Sequence, residues 1–426
     1  MITKGADRTG RQPTPRPHLP SRQRDFTRVW HAYAVSAAGT AVGAGALPLV
    51  AVTTLHATAL QVSLLAALSS VPGAVIALWL GGRIEHRTKR PVMIAADLAR
   101  AVALASVPLA AALGLLTFGQ LCAVGVVQAA ATTAFLAAST AHLKALVAPE
   151  ARLRASARFE TTDWLSQSAG PPSGGLLVGA LGTTATVAVD ALSFALSALG
   201  ISRLQTPEPE PPPVPASRSS AGVSTGWRTI LAHPGLRPLF WNALLFGGPV
   251  MATVPLLAVL MLQDMHFTPI QYGLALGLPC LGGILGSRCT LPLTRRLGAH
   301  RVLLAFGVLR TPWALLLAFV PLGRLGLVAI VAIDTGLLFA VGVFNPAFAA
   351  YRMAVTDDHV IARVVTAWSV SAKTAQPACM LAAGLLASQV GVRPALLVAG
   401  TLCLASAALL PWTAAAPDPA PAAART

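Results

Sequence analysis

The chain is short of charge, of acids and of cysteine. Only 11% of its 426 residues are charged, and 15 acids stand against 31 Lys and Arg. So little charge cannot solvate the surface of a soluble protein of this length, and it does not fit an intrinsically disordered chain. Five cysteines (Cys122, Cys280, Cys289, Cys379 and Cys403) are scattered through apolar surroundings without CxxC spacing. That argues against a disulfide scaffold or a zinc site and leaves them as small apolar residues. The sequence contains no HExxH, no GxSxG and no Walker lysine loop. Zinc peptidase, serine hydrolase and single-chain ATP-pump chemistry therefore lack their groups. The acid pair in "DDHVIAR" (357–363) has no second cluster beside it, so no metal is expected.

What the chain has in abundance is apolar length. Hydrophobic residues make up 55% of it, and the mean hydropathy is +0.67. Apolar runs of about 20 residues recur, each long enough to cross a ~30 Å hydrocarbon core as a helix. They fall near 29–53, 60–80, 91–113, 118–142, 159–179, 181–202, 238–262, 270–293, 302–321, 325–350, 364–388 and 394–412. The expected fold is an all-α integral membrane protein with twelve transmembrane helices. Residues 1–28 are polar, Pro- and Arg-rich and lack the apolar core of a signal peptide, so a disordered tail is expected there and again at 413–426.

The excess positive charge follows the same topology. Of the 31 Lys and Arg, 26 fall in the two tails and in the loops after spans 2, 4, 6, 8 and 10 or at their helix ends. Only Arg324 and Arg393 lie in the opposite loops. This asymmetry puts both termini in the cytoplasm of a multi-pass cell-membrane protein. It also assigns the basic residues to topology and anionic lipid rather than to nucleic acid.

Between spans 6 and 7 lies "RLQTPEPEPPPVPASRSSAGVSTGW" (203–227), a Pro run followed by a Ser/Gly-rich stretch. Such a segment reads as an extended and then flexible linker over 204–237. It divides the chain into six-helix halves at 29–203 and 238–412. The halves resemble each other at an offset of about 210. "RPVMIAADLAR" (90–100) aligns with "HRVLLAFGVLR" (300–310), and "LGTTATVAVDALSFALSAL" (181–199) aligns with "VGVRPALLVAGTLCLASAAL" (390–409). Two pseudo-symmetric six-helix bundles joined by a cytoplasmic linker are a transporter architecture.

Charges within spans are costly and mark candidate sites. Arg310, Asp334 and Lys373 all fall near mid-depth at 1.5 Å per residue. Lys373 shares a polar stripe with Thr366, Ser369 and Gln376 on span 11, and Tyr33, Ser36 and Thr40 make a similar stripe on span 1. These stripes suit the wall of a central cavity. A buried structural pairing of Asp334 with Lys373 or Arg310 is the equal alternative. In the first half, Asp97, Arg100 and Asp190 make a comparable set. A cavity so lined would suit a neutral or acidic amphipathic molecule.

Several motifs together resemble the major facilitator superfamily over residues 26–412, and within it the bacterial drug-efflux and enterobactin-exporter branch. "GGRIEHRTKRP" (81–91) lies where that superfamily carries its loop 2–3 signature. Gly81 stands for the glycine, Glu85 for the aspartate and Lys89-Arg90 for the basic pair. "ADLAR" (96–100), "VDALSF" (189–194) and "VTDDHVIARV" (355–364) also resemble this branch, which implies a structural network for Asp97 and Arg100 and leaves Asp190 between structure and function. "SQSAGPPSGG" (166–175) is similar to the helix-5 antiporter signature, through Gly170-Pro171 and Gly174-Gly175, with Ser166 in the place of an earlier glycine.

The resemblance implies the major facilitator fold and alternating-access export of a small, amphipathic drug, siderophore or secondary metabolite, coupled to protons. It implies a cytoplasmic gate of Gly81, Glu85, Lys89 and Arg90 with Asp357 and Arg363, though a topology anchor is the simpler reading of that cluster. The chain departs from the pattern at Thr40, where related exporters often carry an acid, and at Gln128, where many carry arginine. If a proton is carried, Asp334 or Asp190 carries it. A monomer in the lipid bilayer without cofactor is expected, and no enzyme. An importer or lipid flippase of this fold, a non-transporting sensor and a membrane enzyme stay open as alternatives.

Overall fold

The computed structural model describes residues 19–43, 46–79, 88–146, 152–204, 221–357 and 360–412. They contain helices and no strand. The first half comprises Leu19–Gly43 with Ala46–Thr53, Ala59–Trp79, Lys89–Ala112, Phe118–Leu146, Arg152–Leu181 and Thr183–Ser202. These are spans 1 to 6. Span 7 is Leu236–Val259, continued by the π-turn Leu260–Asp264, and span 8 is Pro269–Gly277 with Cys280–Leu297. Span 9 is Ala299–Leu309, Trp313–Leu316 and a 3₁₀ turn at Leu317–Phe319. Spans 10 to 12 are Arg324–Ala354, Ile361–Val390 and Val392–Ala405, the last closed by Ser406–Leu409.

Among the described residues, nine helical stretches are long and apolar enough to cross a membrane. Three further helices of 21, 30 and 30 residues, spans 2, 5 and 11, pack among them and complete the twelve. Side-chain exposure is inverted relative to a soluble protein. Val102 and Leu325 are 71% and 73% exposed, while Asp97 and Arg100 are 0% and 2% exposed. Apolar side chains outside and charges inside are what a lipid surround selects.

Proline accounts for the breaks within spans. Span 8 is interrupted at Leu278-Pro279 and span 9 at Arg310–Pro312, positions where a ring without N–H ends the ladder. Span 5 runs on through Pro171 and Pro172 without a break. Two expectations are corrected. Residues 19–28, assigned to the tail, belong to the first helix, where Arg28 donates to the Arg203 carbonyl at 3.1 Å. Part of the linker, assigned as flexible, is the helix Ala221–Ala232. Its Ile230 is fully buried among Leu236, Val364 and Trp368, so packing overrides its Ser/Gly composition. The remainder of both tails and residues 205–220 lie outside the described residues.

The internal repeat is written most clearly in the turns. Six of the seven left-handed residues described fall in pairs, Gly114 and Gly323, Gly182 and Gly391, and His56 and His266, each pair 209 or 210 positions apart, while Gly298, between spans 8 and 9, has no such counterpart. His56 and His266 each precede a helix start of the same kind. Thr58 and Gln61 cap each other reciprocally, as do Thr268 and Gln271. All six turns lie at one end of the bundle, the tight-turn end. The basic loops lie at the other.

The halves meet through spans 2 and 11 and through spans 5 and 8. Glycine permits this approach: a Cβ on Gly273 would lie 2.2 Å from the Pro171 carbonyl oxygen, and one on Gly384 would lie 2.4 Å from Ser63 Cβ. Both contacts sit toward the tight-turn end, where Gln263 of span 7 also donates to the Ala57 carbonyl at 2.8 Å.

Candidate functional site

A cavity of about 700 Å³ lies between the halves, lined mostly from the half of each span nearer the tight turns. Spans 1, 2, 4, 5 and 6 supply most of its wall, and spans 7, 8 and 11, with Leu104 of span 3, supply the rest. Ala46, Leu47, Val62, Leu65, Val254 and Leu276 make much of the surface apolar, and Thr40, Ser69, Gln128, Thr132 and Gln167 add polar groups. Among the described residues, its charged lining is Asp190 from span 6 and Lys373 from span 11. The seam of spans 5 and 8, through Pro171, Tyr272 and Leu276, caps it toward the tight-turn end.

The structure thus brings together four expected residues, Thr40, Gln128, Asp190 and Lys373. It separates others from them. Tyr33 is buried against Phe159, with ring centroids 4.6 Å apart, and Ser36 is buried with it, so the span 1 stripe reaches the cavity only at Thr40. Gln376 approaches Gly247 of span 7. Asp334 is half-buried in span 10, outside the lining, and makes no hydrogen bond or ion pair among the described residues.

Arg310 is also remote from the cavity lining. Its Nη2 donates to Asn242 Oδ1 at 2.6 Å, and Asn242 Nδ2 donates in turn to the Ser406 carbonyl at 2.6 Å. The guanidinium lies 4.1 Å from the Phe246 ring centroid and 3.6 Å from that of Phe344. Arg100, its counterpart, lies 4.8 Å from Phe135 and 4.1 Å from Phe194, and it pairs with Asp97. Phe135 and Phe344 are 209 positions apart and do the same work on spans 4 and 10. The second half has Gly307 where Asp97 stands in the first, so neutral Asn242 takes over as acceptor. Arg310, Asp334 and Lys373, grouped in the sequence by their shared depth, are therefore not one cluster. With Arg310 and Asp334 both outside it, the described lining keeps one base, Lys373, from the second half and one acid, Asp190, from the first.

The helix-5 motif has a direct packing role. Gly170 and Gly174 share one face, where a Cβ would lie 2.3 Å from Ala41 Cβ and 2.2 Å from the Val42 carbonyl oxygen of span 1. Gly175 faces span 8, where a Cβ would lie 2.3 Å from the Pro269 carbonyl oxygen. Of the expected gate, Gly81 and Glu85 lie outside the described residues. Arg90 donates to the Ser202 carbonyl at the end of span 6. Asp357 and Arg363 are exposed, and the Arg363 carbonyl abuts Gly226 of the linker helix.

Sequence reasoning missed Thr132 and Gln167 on the cavity wall and Asn242 as the partner of Arg310. Thr132 follows Gln128 at i+4, so the stripe logic applied to spans 1 and 11 could have found it. It also missed the repeated H-x-T-x-x-Q of 56–61 and 266–271, a stronger mark of duplication than the Ala/Leu matches.

The Major Facilitator Superfamily profile matches residues 29–372. The chain belongs to the major facilitator superfamily. It is therefore a multi-pass membrane transporter protein, as the charge pattern and the buried cavity lead one to expect. It is 27% identical over 349 residues to the multidrug efflux pump Tap of Mycolicibacterium fortuitum, covering 79% of this chain and 83% of that one. To Tap of Mycobacterium tuberculosis (strain ATCC 25618 / H37Rv) it is 28% identical over 375 residues, covering 84% and 86%. Among solved structures, a bacterial homologue of the iron transporter ferroportin in an inward-facing state superposes with a TM-score of 0.71 at 16% identity, covering 92% of this chain and all of that one. A bacterial homologue of the lysosomal transporter Spinster gives 0.70 at 13% identity, covering 92% and 97%. At such identities these two structures speak for the superfamily fold alone.

Proposed function

We propose that this superfamily member exports a small amphipathic molecule by alternating access, in exchange for protons. The observation that carries the reading is the cavity between the halves. Its size is that of sites for drug-sized molecules, its wall is mostly apolar, and it holds one acid and one base. The likeness to pumps named for multidrug efflux supports the outward direction. With both termini in the cytoplasm, as the charge asymmetry implies, the tight-turn end faces outward and the glycine-proline seam of spans 5 and 8 seals it. The loop of Gly81, Glu85, Lys89 and Arg90, with Asp357 and Arg363, then closes the opposite side in the other state. Six-helix halves at 29–203 and 238–412 rock about the cavity as a monomer in the cell membrane.

The test is transport by the purified protein in proteoliposomes of defined orientation. A pH gradient, acidic on the outer face, should drive a cationic amphipathic dye such as ethidium from the inner to the outer face, and collapse of that gradient should stop it. Dye movement indifferent to the gradient would refute proton exchange, and movement only inward would refute export.

A further inference from the structure

We propose that Asp190 is the acid whose proton loading drives the cycle, and that span 1, resting on it through Gly39 and Gly43, carries the change to the seam between the halves. This rests on the proton-exchange reading above and names the residue and route within it.

Two acids within the spans are candidates, and the geometry separates them. Asp190 lines the cavity, where a proton and a cargo can both reach it, and Asp334 does not. Its carboxylate is cradled by bare helix backbone. A Cβ on Gly43 would lie 2.1 Å from Asp190 Oδ2, and one on Gly39 would lie 1.8 Å from Ser193 Oγ and 2.9 Å from Asp190 Oδ1. No side chain of those two positions stands between span 1 and the carboxyl, so a change in its charge and hydrogen bonding acts on the helix directly. Ser193, one turn on, contacts Oδ1 at 3.5 Å.

The surrounding charges suit a group that must ionise and discharge. From span 3, Arg100 lies within electrostatic range of Asp190, with Asp97 behind it as its ion-pair partner. Lys373 of span 11 and Tyr272 of span 8 line the same cavity. Spans 1 and 5 present Gly39, Thr40, Gly43 and Gln167. Ionised, the carboxyl faces one guanidinium and draws a cationic group from the cargo. Protonated, it offers neither interaction, so proton and cationic cargo exclude each other. That exclusion is what exchange requires.

The route onward consists of backbone contacts. Span 1 touches span 5 where Ala41 and Val42 meet Gly170 and Gly174, and span 5 touches span 8 where Gly175 meets Pro269 and Pro171 meets Gly273. Backbone packed on backbone transmits a shift because no flexible side chain can absorb it. The helix-5 motif is thereby the middle of a three-helix chain from Asp190 to the seam.

Asp190→Asn keeps size and hydrogen bonding but cannot titrate. In the proteoliposome assay it should lower gradient-driven ethidium accumulation by at least about fivefold, the low end of ordinary coupling strengths. Ethidium exchange down its own gradient should survive. Asp334→Asn should leave both in place, and Gly43→Ala should repeat the Asp190→Asn pattern. A second readout needs no variant: dicyclohexylcarbodiimide, which attacks protonated carboxyls in apolar surroundings, should label Asp190 in the parent, less as pH rises and less with ethidium bound. If Asp190→Asn accumulates dye as well as the parent, or if carbodiimide labels Asp334 and spares Asp190, the assignment is overturned and the export reading stands. If the parent moves no ethidium in either mode, the export reading fails and takes this one with it.

Discussion

Asn242→Leu separates a structural Arg310 from a functional one. The substitution removes the Oδ1 that accepts from Arg310 Nη2 at 2.6 Å and the Nδ2 that donates to the Ser406 carbonyl at 2.6 Å. In soluble proteins a hydrogen bond to a charged group is worth ~1.5–3 kcal/mol and a neutral one ~1 kcal/mol. Inside a membrane the unfolded reference state also finds partners, and measured couplings average ~0.6 kcal/mol with a maximum near ~1.7 kcal/mol. Taking the maximum for the charged bond and the average for the neutral one gives a loss of about 2 kcal/mol. The rings of Phe246 and Phe344 still hold the guanidinium, at ~0.5–2 kcal/mol each, so the protein should fold. A double-mutant cycle with Arg310→Met, read by reversible unfolding in mixed detergent–SDS micelles, should give a coupling of about 1–2 kcal/mol. Transport by Asn242→Leu at moderate temperature should remain near that of the parent. A coupling below about 0.5 kcal/mol, the range of independent sites, together with lost transport would refute the structural role and return Arg310 to the transport pathway.

Three further outcomes follow from the topology, the seam and the gate. A reporter fused after Arg425 should read cytoplasm and one inserted in 264–268 should read the outside; reversed signals would sink the orientation. Gly273→Leu puts a side chain where a Cβ already lies 2.2 Å from the Pro171 carbonyl oxygen, an overpacking of about 1–3 kcal/mol against the closed seam. Cysteines placed beside Tyr272 should then react faster with reagents added from the tight-turn side, and transport should fall. Glu85→Ala with Arg90→Ala should favour the state open toward the basic loops while leaving the folded yield intact. Unchanged cysteine accessibility at that mouth, with transport lost, would assign the cluster another role.

Much of the fold was legible because lipid imposes a blunt rule: every span must be helical and apolar over about 20 residues, and loop charge must sort by side. That rule located twelve spans and the asymmetry of Lys and Arg without reference to packing. It could also place Asp190, Arg310, Asp334 and Lys373 at depth, since depth is a matter of counting residues. It could not say which way each one faces. Asp190 and Lys373 line the cavity, whereas Arg310 lies between two rings with Asn242, a residue 68 positions away. Linear spacing cannot decide this because helix rotation is set by neighbours, here by glycines such as Gly43, Gly174 and Gly273 that let backbone meet backbone. The sequence by itself determined a twelve-span, duplicated membrane protein of known superfamily. Only the tertiary structure decided which intramembrane charges share a cavity and which hold a bundle together, because that depends on contacts between helices far apart in the chain.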